Sequence, residues 1–366
     1  MSTRLRELAD HGQSPWVDYL SRTFVHDGEL DASIDNGVLG LTSNPTIFQG
    51  AIAEGNAYDD QLREVLRTED DLKEVFLALA VDDVRAACDR LLPAYENSTA
   101  HQHGWVSLEV DPRLANDTEA TAAEATRLYQ LVGRPNLMVK IPGTAAGLPA
   151  IEETVARGIP VNVTLLFSLE RHRQAAQAYL VGLRRLLATG GDLRTMASVA
   201  SFFVSRVDTE ADRRLTGHDE LRGTLAVANA RLAYQTYLDV FSGPEWLELA
   251  AAGANPQRCL WASTSMKDAN RPDVFYVEEL IGKDTVTTMP RQTAEAFLDH
   301  GTVADTVTRD VNEARRTVAR FEEAGVSYAE VVEALERDGV RKFSDSFQQL
   351  LDGIADKRSQ LLGATS

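Results

Sequence analysis

The chain has 366 residues, 44% hydrophobic and 25% charged, with 37 basic against 55 acidic side chains and a net charge of −18. This composition supports a large apolar core and excludes a disordered chain. The acidic balance argues against a nucleic-acid or anionic-membrane surface, so any phosphate site has to be a local concentration of cations.

Met1 to Ser14 lack the apolar segment of a signal peptide, and no apolar run approaches the ~18 residues that would span a bilayer. The two cysteines, Cys88 and Cys259, stand far apart without a partner motif, which predicts neither a disulfide framework nor a cysteine metal site. A cytoplasmic protein is expected. The length exceeds that of an ordinary domain but suits one decorated (β/α)8 barrel, a fold of about 250 residues that tolerates large insertions.

Along the chain, short apolar runs alternate with long amphipathic segments, the pattern of repeated βα units around a parallel sheet. The first three runs are Trp16–Leu20, Val38–Ser43 and Trp105–Val110. Asn116 or Asp117 then caps a helix with Ala122, Ala125, Leu128, Tyr129 and Val132 on one face, ended by Gly133 and Pro135. Leu137–Ile141 and Val161–Phe167 follow, and Ser168 caps a helix that stops at Gly190 and Gly191. Met196–Val204, Cys259–Ala262 and Thr285–Met289 complete the set. Eight strands with helices between them predict a closed barrel, although counting does not exclude a doubly wound sheet.

After Pro290 the pattern is helical only, through Ala294–Leu298, Val311–Glu323, Tyr328–Leu335 and Phe343–Leu361. Phe343, Phe347, Leu350, Leu351 and Ile354 keep helical spacing, as for a helix packed on the outside of the barrel. The reading is a single domain over 1–366, an α/β TIM barrel whose residues 291–366 form a helical C-terminal extension. A monomer and a homodimer both remain open.

Lys140 interrupts the run Asn136 to Pro142, which is otherwise apolar on both faces as in a parallel strand covered on both sides. An ammonium there is deprived of water, which favours the neutral amine and its attack on a carbonyl. A lysine that snorkels from the strand end, or one held in an internal ion pair, fits the same run. Period-2 alternation assigns Thr42 with Asn44, Ser107 with Glu109, Met138 with Lys140, Asn162 with Thr164 and Ser201 with Phe203 to the barrel interior. Most of these polar residues lie toward the C-terminal ends of their strands, where barrel enzymes assemble their sites, and this favours chemistry at Lys140. His101-Gln102-His103 has metal-ligand spacing but precedes a strand, so no metal is expected there. No Walker, dinucleotide or nucleophile-elbow motif occurs.

Five segments in order carry a family resemblance: Leu41-Thr42-Ser43-Asn44-Pro45-Thr46, Leu108-Glu109-Val110-Asp111-Pro112-Arg113-Leu114, Val139-Lys140-Ile141-Pro142-Gly143-Thr144, Asn162 through Ser168, and Gly339-Val340-Arg341-Lys342-Phe343. Together they resemble the transaldolases, in the longer bacterial branch. The resemblance implies a cofactor-free (β/α)8 barrel of the pentose phosphate pathway that acts on small-molecule sugar phosphates. Such an enzyme transfers a dihydroxyacetone unit from fructose 6-phosphate or sedoheptulose 7-phosphate to an aldose phosphate, through a lysine Schiff base.

By that resemblance Lys140 is the Schiff-base nucleophile, and Glu109 with Thr164 works on a bound water. Asp18 is the general base, with Asp27 and Asp31 as competitors because the first strand matches the family poorly. Asn44 and Asn162 bond substrate hydroxyls, although either could be a strand-end amide satisfying backbone. Ser201, Arg206 and Lys267 hold the phosphate, Lys267 standing where many relatives carry arginine and lacking its bidentate fork. Related aldolases carry tyrosine at the position of Phe203, so phenylalanine there implies transfer rather than simple cleavage; a plain core aromatic is the alternative.

Overall fold

The computed structural model of the protein describes residues 2–53 and 55–363. Eight parallel strands close into one barrel in chain order: β1 Gln13–Asp18, β2 Gly40–Thr42, β3 Trp105–Glu109, β4 Leu137–Pro142, β5 Val161–Leu166, β6 Ser198–Phe203, β7 Gln257–Ala262 and β8 Thr285–Met289. Pairing of β1 with β8, from Gln13 with Thr285 to Val17 with Met289, closes the cylinder and removes the open-sheet alternative. The sequence places all eight strands, but β1 and β7 begin earlier than their apolar runs. Their first residues are polar and buried, and hydrogen bonds take the place of apolar character. Gln13 donates to Leu280 O at 2.7 Å, Gln257 to Ser198 Oγ at 2.8 Å, and Arg258 to Ser14 Oγ at 2.8 Å and Gln102 O at 2.6 Å.

Local signals set the helices. Asp117 accepts from Ala120 N at 3.0 Å to cap Thr118–Val132, which ends on Gly133 at φ 61°. Ser168 accepts from Arg171 N at 3.0 Å to cap Leu169–Ala188. The two histidines of His101-Gln102-His103 have separate partners. His101 stacks on Tyr95 at 4.2 Å, whereas His103 bonds Ser14 Oγ at 3.0 Å. Burial, reinforced by Arg258, pulls His103 down to about 4, which leaves its ring neutral at pH 7. Among the described residues no helix is long and apolar enough to cross a membrane.

The C-terminal region departs from the sequence reading. The segments Tyr328–Leu335 and Phe343–Leu361 are one helix, Tyr328–Gly363, and it lies across the C-terminal mouth of the barrel rather than on its outer wall. At its start Tyr328 OH donates to Asn229 Oδ1 at 2.7 Å and accepts from Leu169 N at 3.1 Å. Near its middle, a Cβ on Gly339 would stand 3.0 Å from Leu165 Cδ2, so glycine lets the helix settle on the end of β5. Further along, Ser346 Oγ accepts from Thr46 Oγ1 at 2.9 Å and Lys357 pairs with Asp59 at 2.9 Å, anchoring it beyond β2. Helical periodicity identifies an apolar face but not the surface that covers it.

Gly40 in β2 faces Trp16 in β1, two residues before Asp18. A Cβ there would meet the indole at 2.4 Å, and Trp16 is wholly buried. Gly40→Ala is expected to destabilise the protein by roughly 1–3 kcal/mol through overpacking, measured by urea unfolding. Unchanged stability would contradict this packing of the lower barrel.

Candidate active site

The strand ends and the C-terminal helix enclose a cavity of ≈ 260 Å³ at the C-terminal end of the barrel. Asp18, Asn44, Lys140 and Thr164 line one part of it, and Ser201, Phe203 and Arg206 another. Asp18, Asn44, Lys140 and Thr164 come from β1, the turn after β2, β4 and β5, whereas Ser201, Phe203 and Arg206 all come from β6 and the helix that follows it.

β4 carries Lys140 beside Glu109 of β3, its register partner. Lys140 Nζ stands 3.1 Å from Glu109 Oε2, donates to Ser43 O at 3.2 Å, and lies 5.5 Å from the Phe343 ring. The pair is nearly dry, with Lys140 4% and Glu109 8% exposed. Glu109 does not line the main cavity. It borders an adjoining crevice of ≈ 10 Å³ walled by Phe48, Phe76 and Phe347. Burial in this aromatic surround pushes its carboxyl above the ordinary carboxylate range, with Lys140 opposing and Asp18 adding to the rise. Glu109 Oε1 and Thr164 Oγ1 are buried without hydrogen-bond partners. Beside Thr164, β5 slips register against β6 between Val163 and Leu166, and Leu165 adopts φ 60°, a costly backbone for leucine held at the rim of the site.

Asp18 ends β1 and accepts from Thr42 Oγ1 at 2.7 Å, while Thr42 contacts Thr288 Oγ1 at 3.0 Å. Of the competing acids, Asp27 is exposed at the end of the helix Arg22–His26, and Asp31 pairs with Arg90 at 3.2 Å. Neither lines the cavity. Asn44 Oδ1 accepts from Ile47 N at 3.0 Å at the start of the helix Pro45–Ala53, and among the described residues its amide nitrogen has no hydrogen-bond partner. Asn162 lies one layer deeper. It donates to Ser107 Oγ at 3.0 Å and accepts from Ser201 Oγ at 2.7 Å, so both ends of its amide are engaged in the wall beneath Ser201.

Arg206 packs its guanidinium 5.0 Å from the Phe203 ring and, among the described residues, has no carboxylate within ion-pair distance. Burial lowers its proton affinity and Asp18 partly restores it. Ser263 and Ser265 line the same end, Ser263 at φ 57° with its Oγ 2.9 Å from Ser205 Oγ. An unpaired arginine among hydroxyls suits a phosphate. Lys267 is exposed and does not line the cavity. Sequence reasoning assigned no role to Ser263, Ser265, Thr288 or Phe343. The serines stood in the segment after β7, where position at a strand end was the available signal; Phe343 ended the resembling segment Gly339–Phe343 and kept helical spacing, neither of which placed it at Lys140.

The chain matches the model of the transaldolase/fructose-6-phosphate aldolase family over residues 15–354. It is 52% identical over 373 residues to a transaldolase of Parafrankia sp., covering 100% of both chains. It is 51% identical over 364 residues to a transaldolase of Thermobifida fusca, covering 98% of this chain and 99% of that one. Transaldolase 1 of Streptomyces coelicolor is 51% identical over 357 residues, covering 96% and 93%.

Inorganic phosphate, followed by calorimetry, should bind at least about tenfold more weakly to Arg206→Ala. Lys267→Ala should lose less. Equal losses would place Lys267 over the phosphate despite its exposed position.

Proposed function

The chain belongs to the transaldolase/fructose-6-phosphate aldolase family, and on that premise we propose that it is a transaldolase of the pentose phosphate pathway working through a Schiff base on Lys140. It takes a three-carbon dihydroxyacetone unit from a ketose phosphate, fructose 6-phosphate or sedoheptulose 7-phosphate, and delivers it to an aldose phosphate. The observation that carries the assignment to Lys140 is a primary amine held nearly dry, 3.1 Å from a carboxyl whose proton affinity is raised by burial.

The steps follow from that geometry. Passing a proton from Lys140 to Glu109 frees the nitrogen lone pair to add to C2 of the ketose. The carbinolamine hydroxyl then needs a proton to leave as water, and protonated Glu109 supplies it through a water held at Thr164 Oγ1, a buried hydroxyl with no protein partner. In the resulting iminium, Asp18 takes the C4 hydroxyl proton, C3–C4 breaks, and its electrons pass into the enamine as the aldose phosphate departs. Thr42, donating to Asp18 at 2.7 Å, holds the base in place. The acceptor aldehyde enters, the enamine carbon attacks it, and Asp18 returns the proton to the new hydroxyl.

Arg206 with Ser201, Ser263 and Ser265 receives the phosphate, Asn44 donates to a substrate hydroxyl, and Asn162 keeps Ser201 in position. Phe203 lines the cavity and has no hydroxyl with which to protonate the enamine or align water. This favours transfer over the simple cleavage that an aldolase performs.

Borohydride reduction with fructose 6-phosphate should leave a reduced adduct on the peptide containing Lys140. Lys140→Ala should lose both turnover and adduct, and full activity in that variant would overturn the assignment. Glu109→Gln should lower kcat on the order of 10²-fold while still forming adduct. Because Glu109 must be ionised to take that proton and burial raises its carboxyl, kcat/KM should rise with pH through a limb lying above the ordinary carboxylate range. An unchanged limb in Glu109→Gln would remove Glu109 from that role.

A further inference from the structure

The helix Tyr328–Gly363 contributes one aromatic ring to the cavity, that of Phe343, 5% exposed and 5.5 Å from Lys140 Nζ. We propose that Phe343 shields the Lys140-bound three-carbon unit from water and so determines how much of it is transferred rather than hydrolysed. The proposal rests on the Schiff-base reading above and adds to it a residue outside the barrel.

The polar contacts of the amine, Glu109 and Ser43 O, come from β3 and from the turn after β2. The ring covers the nitrogen from the helix, where it offers neither donor nor acceptor. Once Lys140 has condensed, the iminium carries its positive charge on this nitrogen, within the ~6 Å over which an aromatic ring attracts a cation. The same ring then supplies attraction to the charge and exclusion of water, so the charged intermediate is retained without a polar group that could deliver a proton or water to it.

The helix is held so that the ring stays in place. Gly339 and Phe347 lie one turn to either side of Phe343 on the same face. Gly339 abuts Leu165, whereas Phe347 packs edge-on to Phe76 at 5.6 Å and beneath the Arg113 guanidinium at 4.9 Å. Ser346 is bonded to Thr46, which itself lines the cavity.

Leakage has a defined chemistry. The enamine carbon takes a proton, water adds at C2 of the iminium, the C2–N bond breaks, and dihydroxyacetone leaves with Lys140 regenerated. The water lost in forming the Schiff base is thereby returned, so the net reaction is aldol cleavage without a further reactant. Opening the cover should therefore move the enzyme from transfer toward cleavage while leaving the amine able to condense.

The test uses the full chain as Phe343→Ala, Phe343→Leu and Leu350→Ala. Two rates from fructose 6-phosphate are compared: glyceraldehyde 3-phosphate release without acceptor, and transfer to erythrose 4-phosphate. The ratio of cleavage to transfer should rise about tenfold in Phe343→Ala and less in Phe343→Leu, which keeps apolar bulk but loses the ring face. It should stay at the wild-type value in Leu350→Ala, a buried helix position that lines neither the cavity nor the crevice beside Glu109, and borohydride should trap Lys140 in all three. If Phe343→Ala does not fold, Phe343→Leu carries the comparison. A wild-type ratio in folded Phe343 variants would overturn the shield, as would an equal rise in Leu350→Ala, which would mean general loosening of the helix. Absence of adduct in the wild-type protein would overturn the Schiff-base reaction itself, and the shield with it.

Discussion

Lys140 and Glu109 face each other across neighbouring strands, 3.1 Å apart in surroundings with almost no water, and the site depends on how they share a proton. A buried ion pair is a poor investment in stability, because desolvating two charges cancels much of their attraction. The same desolvation makes transfer of the proton from nitrogen to oxygen easy, since it replaces two charges by two neutral groups. An amine that must become a nucleophile gains from that exchange, and the parallel register of β3 and β4 enforces it without relying on a mobile loop.

The barrel sorts its polar residues by height. At the N-terminal end they are spent on structure: Arg258 binds Ser14 and the Gln102 carbonyl, and His103 is kept neutral against Ser14. In the middle, two hydrogen bonds run from Ser201 through Asn162 to Ser107 across β6, β5 and β3. At the C-terminal end groups are left with capacity to spare: Thr164 Oγ1, Glu109 Oε1 and the guanidinium of Arg206. Buried acceptors without partners also occur at the N-terminal end, Gln13 Oε1 and Gln257 Oε1, but the C-terminal set borders the cavity and its crevice. The helix Tyr328–Gly363 adds the ring of Phe343 to that end.

Much of this was legible in the chain. A lysine in a run apolar on both faces singled out Lys140, period-2 alternation put Glu109, Thr164 and Ser201 on the inner wall, and Asn116 or Asp117 and Ser168 marked helix starts by their side chains. Other features have no periodic signature. Gln13 and Gln257 read as loop because hydrogen bonds, rather than hydrophobicity, bury them. Alternation showed that Asn162 points inward, but not that it belongs to the layer below the cavity. Phe343 carried helical spacing and a place in the resembling segment Gly339–Phe343, and its position over Lys140 depends on where a helix distant in sequence crosses the barrel. Lys267 was taken as a phosphate ligand from resemblance, yet the loop after β7 leaves it facing solvent.

The most direct measurement is a crystal structure of the protein reduced with borohydride in the presence of fructose 6-phosphate. Continuous density from Lys140 Nζ to C2 of the three-carbon unit, with Glu109 behind the nitrogen and Phe343 over it, is the predicted result. Density joined to another lysine, or a three-carbon unit lying outside the barrel mouth, would contradict it.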